Sequence, residues 1–286
     1  MLRITNDKVP VIFSDIDGTF YDSNFQINSD TLVDIDFAIK NGALFNICTG
    51  NPCFSKMKNL ASKLNCSYLV CSEGSQIFDL VNNKTIFEAL IDNETLQKVI
   101  EIATQNDLYP FFWNGEKYFY LKDNPNNEIL YGYHFDSKEE FKIPQKYDGH
   151  EFMPAKIEIY ASSQKPSLTL LENLENVEIV QNEKNITILP RGVNKFFAIN
   201  YLVSRNFIKN VKLNEIMTIG DGNNDVAMLK ETNFSYAMAN ASLLAKQAAK
   251  YHTSAVEQNG LGEAILDYLY RLKNIVKKYL FHEFDK

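Results

Sequence analysis

The amino-acid sequence predicts an α/β protein: a Rossmann-like parallel sheet covered by helices, interrupted by an inserted α+β unit. Three observations carry this. Short apolar β-forming runs alternate with helical periods at the start of the chain and again after Pro190. Two of those runs, VIF at Val11–Phe13 and IMTI before Gly220, stop abruptly in acidic, glycine-containing loops. Between them, from about Lys84, the texture changes to paired β-rich segments around polar turn signals. The expected organisation is a discontinuous core, residues 1–82 and 189–286, enclosing a smaller domain over 83–188, an insertion of ordinary domain size.

Taken in order, Val11–Phe13 reads as a buried strand ending at a polar site. A helix follows: Leu32, Ile35 and Ile39 recur at helical spacing, Asn28 or Ser29 can cap its start, and Gly42 suits the position after its end. Ala43–Cys48 is a second strand that closes on Thr49-Gly50, followed by a helix from about Ser55 to Leu64 and the strand SYLVCS. In the insertion, TIFEALI, a helix opening at DNET, and the aromatic segments LYPFFW and KYFYL around Asn114-Gly115 spell strand, helix, hairpin. A similar order recurs from Lys156 as KIEIYAS, a helical SLTLLENL, then VEIV and ITIL, so a duplicated α+β unit is expected. Asn124 to Asp148 shows no clear period. After Pro190 the alternation resumes with NKFFAINYLVS helical, EIMTI a strand running into GDGNND, DVAMLKET helical, SYAMAN a strand, and LGEAILDYLYRLKNIVKKYLF one long amphipathic helix.

The chain of 286 residues is long enough for two hydrophobic cores, and 45% hydrophobic with 23% charged residues is ordinary globular composition. A net charge of -7 argues against a phosphate-backbone binder, which needs a basic face, so nucleic acid is not an expected partner. No apolar run approaches the roughly 20 residues that span a bilayer, and the first residues lack an apolar leader segment, so a cytoplasmic location without membrane attachment is expected. Cys48, Cys53, Cys66 and Cys71 form no CxxC pair and sit near no histidine pattern, and they read as reduced packing residues.

The chemistry concentrates in the acidic loops. Asp15 and Asp17 lie two apart, and on a regular strand they share a face, while Gly18 lets the chain turn sharply after them. Carboxylates held close repel unless a cation or shared proton intervenes, and an all-oxygen site favours magnesium. The plain alternative is an acidic surface turn; an EF-hand is excluded because its glycine stands at loop position 6 and Gly18 is at position 4 counted from Asp15. GDGNND repeats the positional logic at a second strand end: Asp221 can add a metal ligand, Asn224 can donate to a phosphate oxygen, and Asp225 can support the loop from behind. An Asn/Asp/Gly turn is the alternative there. Thr49-Gly50 offers a hydroxyl and a close backbone N–H, or a simple turn. Lys195, after Pro190-Arg191-Gly192, supplies a cation for phosphate, or a solvated surface charge.

DIDGT, Thr49-Gly50, Lys195 and GDGNND, in this order, resemble the four motifs of the haloacid dehalogenase superfamily of phosphatases. GVNKFFAI, GDGNNDVAML, YAMANA and AVEQNGLGEAI further resemble its Cof-type sugar-phosphatase subfamily with a type IIB α/β cap. The resemblance implies a magnesium-dependent phosphatase of small phosphorylated metabolites, a phosphoric monoester hydrolase. Asp15 would be the nucleophile that forms an aspartyl-phosphate, and Asp17 the acid and then the base. The ion would be held by the Asp15 carboxylate, the Asp17 backbone carbonyl and Asp221, and phosphate by Thr49, Gly50, Lys195 and Asn224, with Asp225 behind them. The protein would act as a monomer or weak homo-oligomer. Phosphosugar mutase or phosphotransferase chemistry, and non-catalytic sensing of a phosphometabolite, are the competing functions.

Two positions depart from the family pattern. Asn51 stands where many relatives have arginine, and SEGSQIF places Glu73 where relatives often show Asn-Gly-Ala. Tyr109, Phe111, Phe112, Trp113, Tyr118 and Tyr120 read as packed strand residues in preference to a ring-binding platform. His134 reads as a surface or packed histidine.

Overall fold

A computed structural model describes residues 9–123, 144–162, 166–182 and 184–283, with side chains to residue 273. His134 lies outside the described residues. In chain order the elements are β1 (Val11–Ser14), α1 (Ser29–Lys40), β2 (Leu44–Cys48), α2 (Ser55–Lys63), β3 (Tyr68–Cys71), β4 (Gln76–Asp79), β5 (Lys84–Glu88), α3 (Asn93–Gln105), β6 (Leu108–Trp113), β7 (Tyr118–Tyr120), β8 (Gln145–Lys146), β9 (Lys156–Ala161), β10 (Val177–Gln181) and β11 (Ile186–Pro190). They continue with α4 (Lys195–Ser204), β12 (Met217–Gly220), α5 (Val226–Glu231), β13 (Phe234–Ala237), α6 (Leu243–Ala248), β14 (Tyr251–His252) and α7 (Gly260–Glu283). The chain forms two compact units, one of residues 1–49, 61–68 and 199–286, the other of 50–60 and 69–198.

In the first unit the strands β14, β13, β12, β1 and β2 lie side by side in that order, every pairing parallel. All four residues of β1 are buried, which suits a central parallel strand covered on both faces. Ser14 pairs with Ile219 on one side and Ile47 on the other, so the chain segments after β1, β2 and β12 all leave the sheet at the same end. Helix α1 begins where expected: the Asn28 side chain accepts from the N–H of Asp30. Its buried face is Thr31, Ile35 and Ala38, whereas Leu32 is 39% exposed. The face is rotated from the expected Leu32, Ile35 and Ile39 because the Thr31 hydroxyl donates to Asn259 Oδ1 at 2.7 Å, which lets a polar residue be buried with its hydrogen bond made.

The second unit contains a six-stranded sheet in the order β10-β11-β9-β6-β7-β8, antiparallel except at β7–β8. One apolar layer holds Leu96 and Val99 of α3 together with Phe112, Phe119, Ile157, Ile159, Ile186 and Ile188. Phe54, Tyr109, Phe111, Trp113, Tyr118 and Tyr160 form a separate cluster, as strand alternation requires, since Phe111 and Phe112 must point to opposite faces. The aromatics are therefore mostly packing residues, each of these six at most 6% exposed.

The duplication expected in the insertion is incomplete. SLTLLENL forms only a single 3-10 turn, Leu168–Leu170, because Leu168 and Leu170 are each more than a third exposed and Leu171 alone is fully buried. A segment this short gains too little from burial to offset the cost of helix nucleation.

Candidate active site

Asp15 and Asp221 reach one site because β1 and β12 are adjacent and parallel. The ladder runs one bond past β1, with the Asp15 N–H donating to Ile219 O at 3.0 Å. Strand β1 itself ends at Ser14, so Asp15 and Asp17 do not share a strand face as the two-residue spacing suggested. Instead the N–H groups of Thr19, Phe20 and Tyr21 converge on Ile16 O, and the Gly18 N–H donates to Tyr21 O at 2.8 Å. This turn buries Asp15 to 5% exposure and leaves Asp17 exposed. The two carboxylates thus meet different surroundings. Gly18 has φ +81°, and a Cβ built on it would lie 2.3 Å from Asp221 Oδ2. Glycine is required there both by backbone angle and by the approach of the carboxylate.

The GDGNND loop is shaped by its last residue. Asp225, fully buried, accepts through Oδ2 from the N–H of Asp221 at 3.0 Å and of Gly222 at 2.8 Å. Gly220 has no room for a side chain, since a Cβ would stand 2.3 Å from the Asp225 carboxyl carbon. Two residues that the sequence did not single out hold the loops in place. Asn240 donates from Nδ2 to Gly18 O at 2.7 Å, and its Oδ1 accepts from the Val256 N–H. The N–H of Ser242 donates to Asp221 O at 2.8 Å, and its hydroxyl to Asn223 Oδ1. Asn240 lies inside the YAMANA segment and Ser242 directly after it, where only their polarity after a strand could have marked them.

One carboxylate oxygen from each of Asp15, Asp221 and Asp225 falls within 4.8 Å of the others. Three anionic oxygen ligands at this spacing suit a hard divalent cation and repel one another without it. The residues therefore fit the group that the site chemistry implies. The Asp17 carboxylate is not among the three; the contribution expected of it was its backbone carbonyl. Asp225 already uses one oxygen to fix the loop, so Asp15 and Asp221 are the oxygens best placed to face an ion.

Of the remaining expected residues, Thr49 is fully buried directly after β2, the parallel neighbour of β1. The Asn224 side chain folds back so that its Oδ1 lies 2.3 Å from where a Gly222 Cβ would stand. Gly50 and Lys195 belong to the second compact unit. Lys195 opens α4 and is fully buried, not a solvated surface lysine. Asn194 Oδ1 accepts from the Phe197 N–H at 2.9 Å, which caps the start of α4 beside it. Gly74, φ +106°, brings its backbone so near that a Cβ would sit 2.2 Å from Asn194 O.

Comparison with known proteins agrees with this geometry. The sequence profile of the haloacid dehalogenase-like hydrolases matches residues 12–265. The chain belongs to that family, and its fold is an α/β Rossmann-like core with a cap. Among similar proteins, the 5-amino-6-(5-phospho-D-ribitylamino)uracil phosphatase of Bacillus subtilis (strain 168) is 24% identical over 260 residues, 90% of this chain and 94% of the relative. A putative phosphatase of Mycoplasma pneumoniae is 22% identical over 288 residues, 91% of this chain and 97% of the relative. A solved structure described as a HAD subclass IIB sugar phosphatase superposes with a TM-score of 0.79 at 21% identity, covering 91% of this chain and 99% of that one. A phosphatase from Bacteroides thetaiotaomicron gives 0.76 at 19% identity, covering 94% and 98%. As an enzyme the protein is a phosphoric monoester hydrolase, of a family that generally uses a divalent metal. Among the described residues no helix is long and apolar enough to cross a membrane.

Proposed function

We propose that the protein hydrolyses small phosphorylated metabolites, sugar phosphates or similar phosphomonoesters, with magnesium and through an aspartyl-phosphate on Asp15. The observation that carries this reading is the meeting of Asp15, Asp221 and Asp225 within 4.8 Å at the end of two adjacent parallel strands, beside a Gly18 backbone that admits no side chain. Asp15 attacks phosphorus in line, the phosphorus–ester oxygen bond breaks, and Asp17 protonates the departing oxygen. Water then attacks the same phosphorus, Asp17 takes its proton, and orthophosphate leaves with the Asp15 carboxylate restored. The exposure of Asp17 suits this role, since it must meet both leaving group and water. Magnesium, held by Asp15, the Asp17 carbonyl and Asp221, neutralises phosphoryl charge when bound. Thr49, Gly50, Lys195 and Asn224 take the remaining phosphate oxygens, and Asp225 acts through its two backbone bonds to the Asp221 loop.

In this reading residues 1–82 and 189–286 are the catalytic core and 83–188 the cap that selects the leaving group. The net charge of -7 supports small metabolites over nucleic acid as partners. Four buried cysteines, none in a disulfide, suit a reducing cytoplasmic setting. A monomer or weak homo-oligomer completes the reading.

The experiment is phosphate release from a panel of sugar phosphates, flavin-pathway phosphates and p-nitrophenyl phosphate, with magnesium and with EDTA. The phosphate of the ribitylamino-uracil class belongs in the panel because the Bacillus subtilis relative carries that name. We expect release only with the metal, and its abolition by Asp15→Asn. Full turnover by Asp15→Asn would end the mechanism, and isomerised phosphosugar in place of free phosphate would make the enzyme a mutase.

A further inference from the structure

The second compact unit buries an ion cluster that the phosphatase reading does not use. Lys156 of β9 has only 2% of its side chain exposed, and its ammonium donates to Glu73 Oε1 at 2.7 Å, Glu158 Oε1 at 2.8 Å and the backbone carbonyl of Gly50 at 3.0 Å. Its three donor hydrogens thus have three acceptors. The Trp113 ring lies 5.4 Å from the ammonium, and the Trp113 indole donates to Ser72 Oγ at 2.8 Å. Burial by itself would lower the Lys156 pKa, but Glu158 and Glu73 more than reverse this and hold it above the ordinary value, so the side chain is a cation.

The cluster seizes two consecutive peptide groups. Lys156 holds Gly50 O, and the Ser72 N–H holds the next carbonyl, Asn51 O, at 2.9 Å. Ser72, Glu73 and Gly74 all stand at positive φ, +51°, +54° and +106°. For two non-glycine residues in sequence this is costly, and it persists only where surrounding contacts enforce it. Glu73 is placed by that backbone to face Lys156. A Cβ on Gly50 would lie 3.1 Å from Lys156 Nζ and 3.2 Å from Glu73 Oε1, so the pair packs directly against the backbone it holds. Asn51 brings no charge to this loop, and the cation arrives instead from a strand far along the chain.

We propose that Lys156, clamped between Glu73 and Glu158, is a positioning residue: it fixes the Gly50–Asn51 peptide, the continuation of Thr49, in the conformation that receives a phosphate oxygen. The proposal rests on the phosphatase reading and deepens it. With the Gly50 carbonyl pinned to Lys156, the N–H of the same peptide must point the opposite way, so the clamp sets the direction of a backbone donor.

The test compares Lys156→Met, Glu73→Gln and the triple variant Lys156→Met/Glu73→Gln/Glu158→Gln with the unaltered enzyme. Steady-state kinetics are combined with calorimetric titration of orthophosphate in magnesium, which needs no turnover. Losing a charge-assisted bond of this kind should weaken phosphate binding about tenfold, in KM and orthophosphate Kd together, with kcat within about threefold. Glu73→Gln should move both in the same direction by a smaller factor, and it keeps the test open if Lys156→Met does not fold. The triple variant removes the two carboxylates that loss of Lys156 would strand, so its melting temperature should recover while the orthophosphate Kd stays weak. KM and Kd unchanged within twofold in the variants that fold, or recovery of Kd along with stability in the triple variant, would make the cluster mere packing and overturn the proposal. An active Asp15→Asn enzyme whose Lys156 variants still show weakened orthophosphate binding would instead overturn the mechanism and leave the clamp standing.

Discussion

Gly18→Ala, set against Gly42→Ala, isolates the contact on which the site geometry depends. Both glycines have left-handed backbone, φ +81° and +90°, but a Cβ on Gly42 meets nothing within 4 Å, whereas one on Gly18 would stand 2.3 Å from Asp221 Oδ2. The backbone cost is common to both, about 1–2 kcal/mol, or about 2–4 °C in melting temperature per kcal/mol for a chain of this order of size. Only Gly18→Ala adds the collision. A carbon–oxygen contact relaxes near 3.5 Å, so the carboxylate must move by roughly 1 Å, and a misplacement of that size costs about 100-fold in rate. Phosphate release at saturating magnesium, magnesium titration and thermal melting are then measured on the same preparations. Gly42→Ala should lose stability and keep its activity per folded molecule, while Gly18→Ala should lose about 100-fold in kcat/KM and need about tenfold more magnesium for half-activation. Equal activity in the two variants would show that the Gly18 turn does not position Asp221, and the account of the metal site would fall.

Asp225→Ala should destabilise the protein by about 2–4 kcal/mol, because it removes a fully buried carboxylate and strands the part-buried N–H groups of Asp221 and Gly222 that it now satisfies; chemical denaturation reads this, and a loss under 0.5 kcal/mol would contradict it. Asp92 caps α3 by accepting from the Thr95 N–H at 2.8 Å, and that bond holds its carboxyl below the usual carboxylate pKa. Its folded-state pKa is depressed, so its contribution is present above the unfolded value and disappears as pH falls through the folded one. Asp92→Ala should therefore cost about 1 kcal/mol at neutral pH, with the gap to the unaltered protein closing in acid below the normal Asp range; a gap independent of pH would assign the effect to something other than the ionised cap.

The local chemistry of the site was legible in the sequence because each motif is short and self-contained. An apolar run that ends in DIDGT or GDGNND announces a buried strand stopping at a polar loop, and a glycine after carboxylates announces a sharp turn. Asn28, Asp92 and Gly42 likewise act on neighbours within one turn of helix, so their roles follow from spacing alone. Where the sequence misled, burial was the missing quantity. SLTLLENL has helical periodicity but finds no surface to cover it, and α1 turned its face toward Thr31 because Asn259, remote in sequence, supplied a hydrogen-bond partner.

The family, the strand-loop motifs and the identity of the acidic residues were thus determined by the sequence itself, since they rest on interactions between residues a few positions apart. Only the tertiary structure decided that β1 lies beside β12 in a register that delivers Asp15 to Asp221, that Asn240 braces Gly18, and that Lys156, between Glu73 and Glu158, holds Gly50. Such pairs carry no spacing rule. They are set by the parallel order of a sheet and the closing of long loops, whose free energy belongs to the whole chain and not to any segment of it.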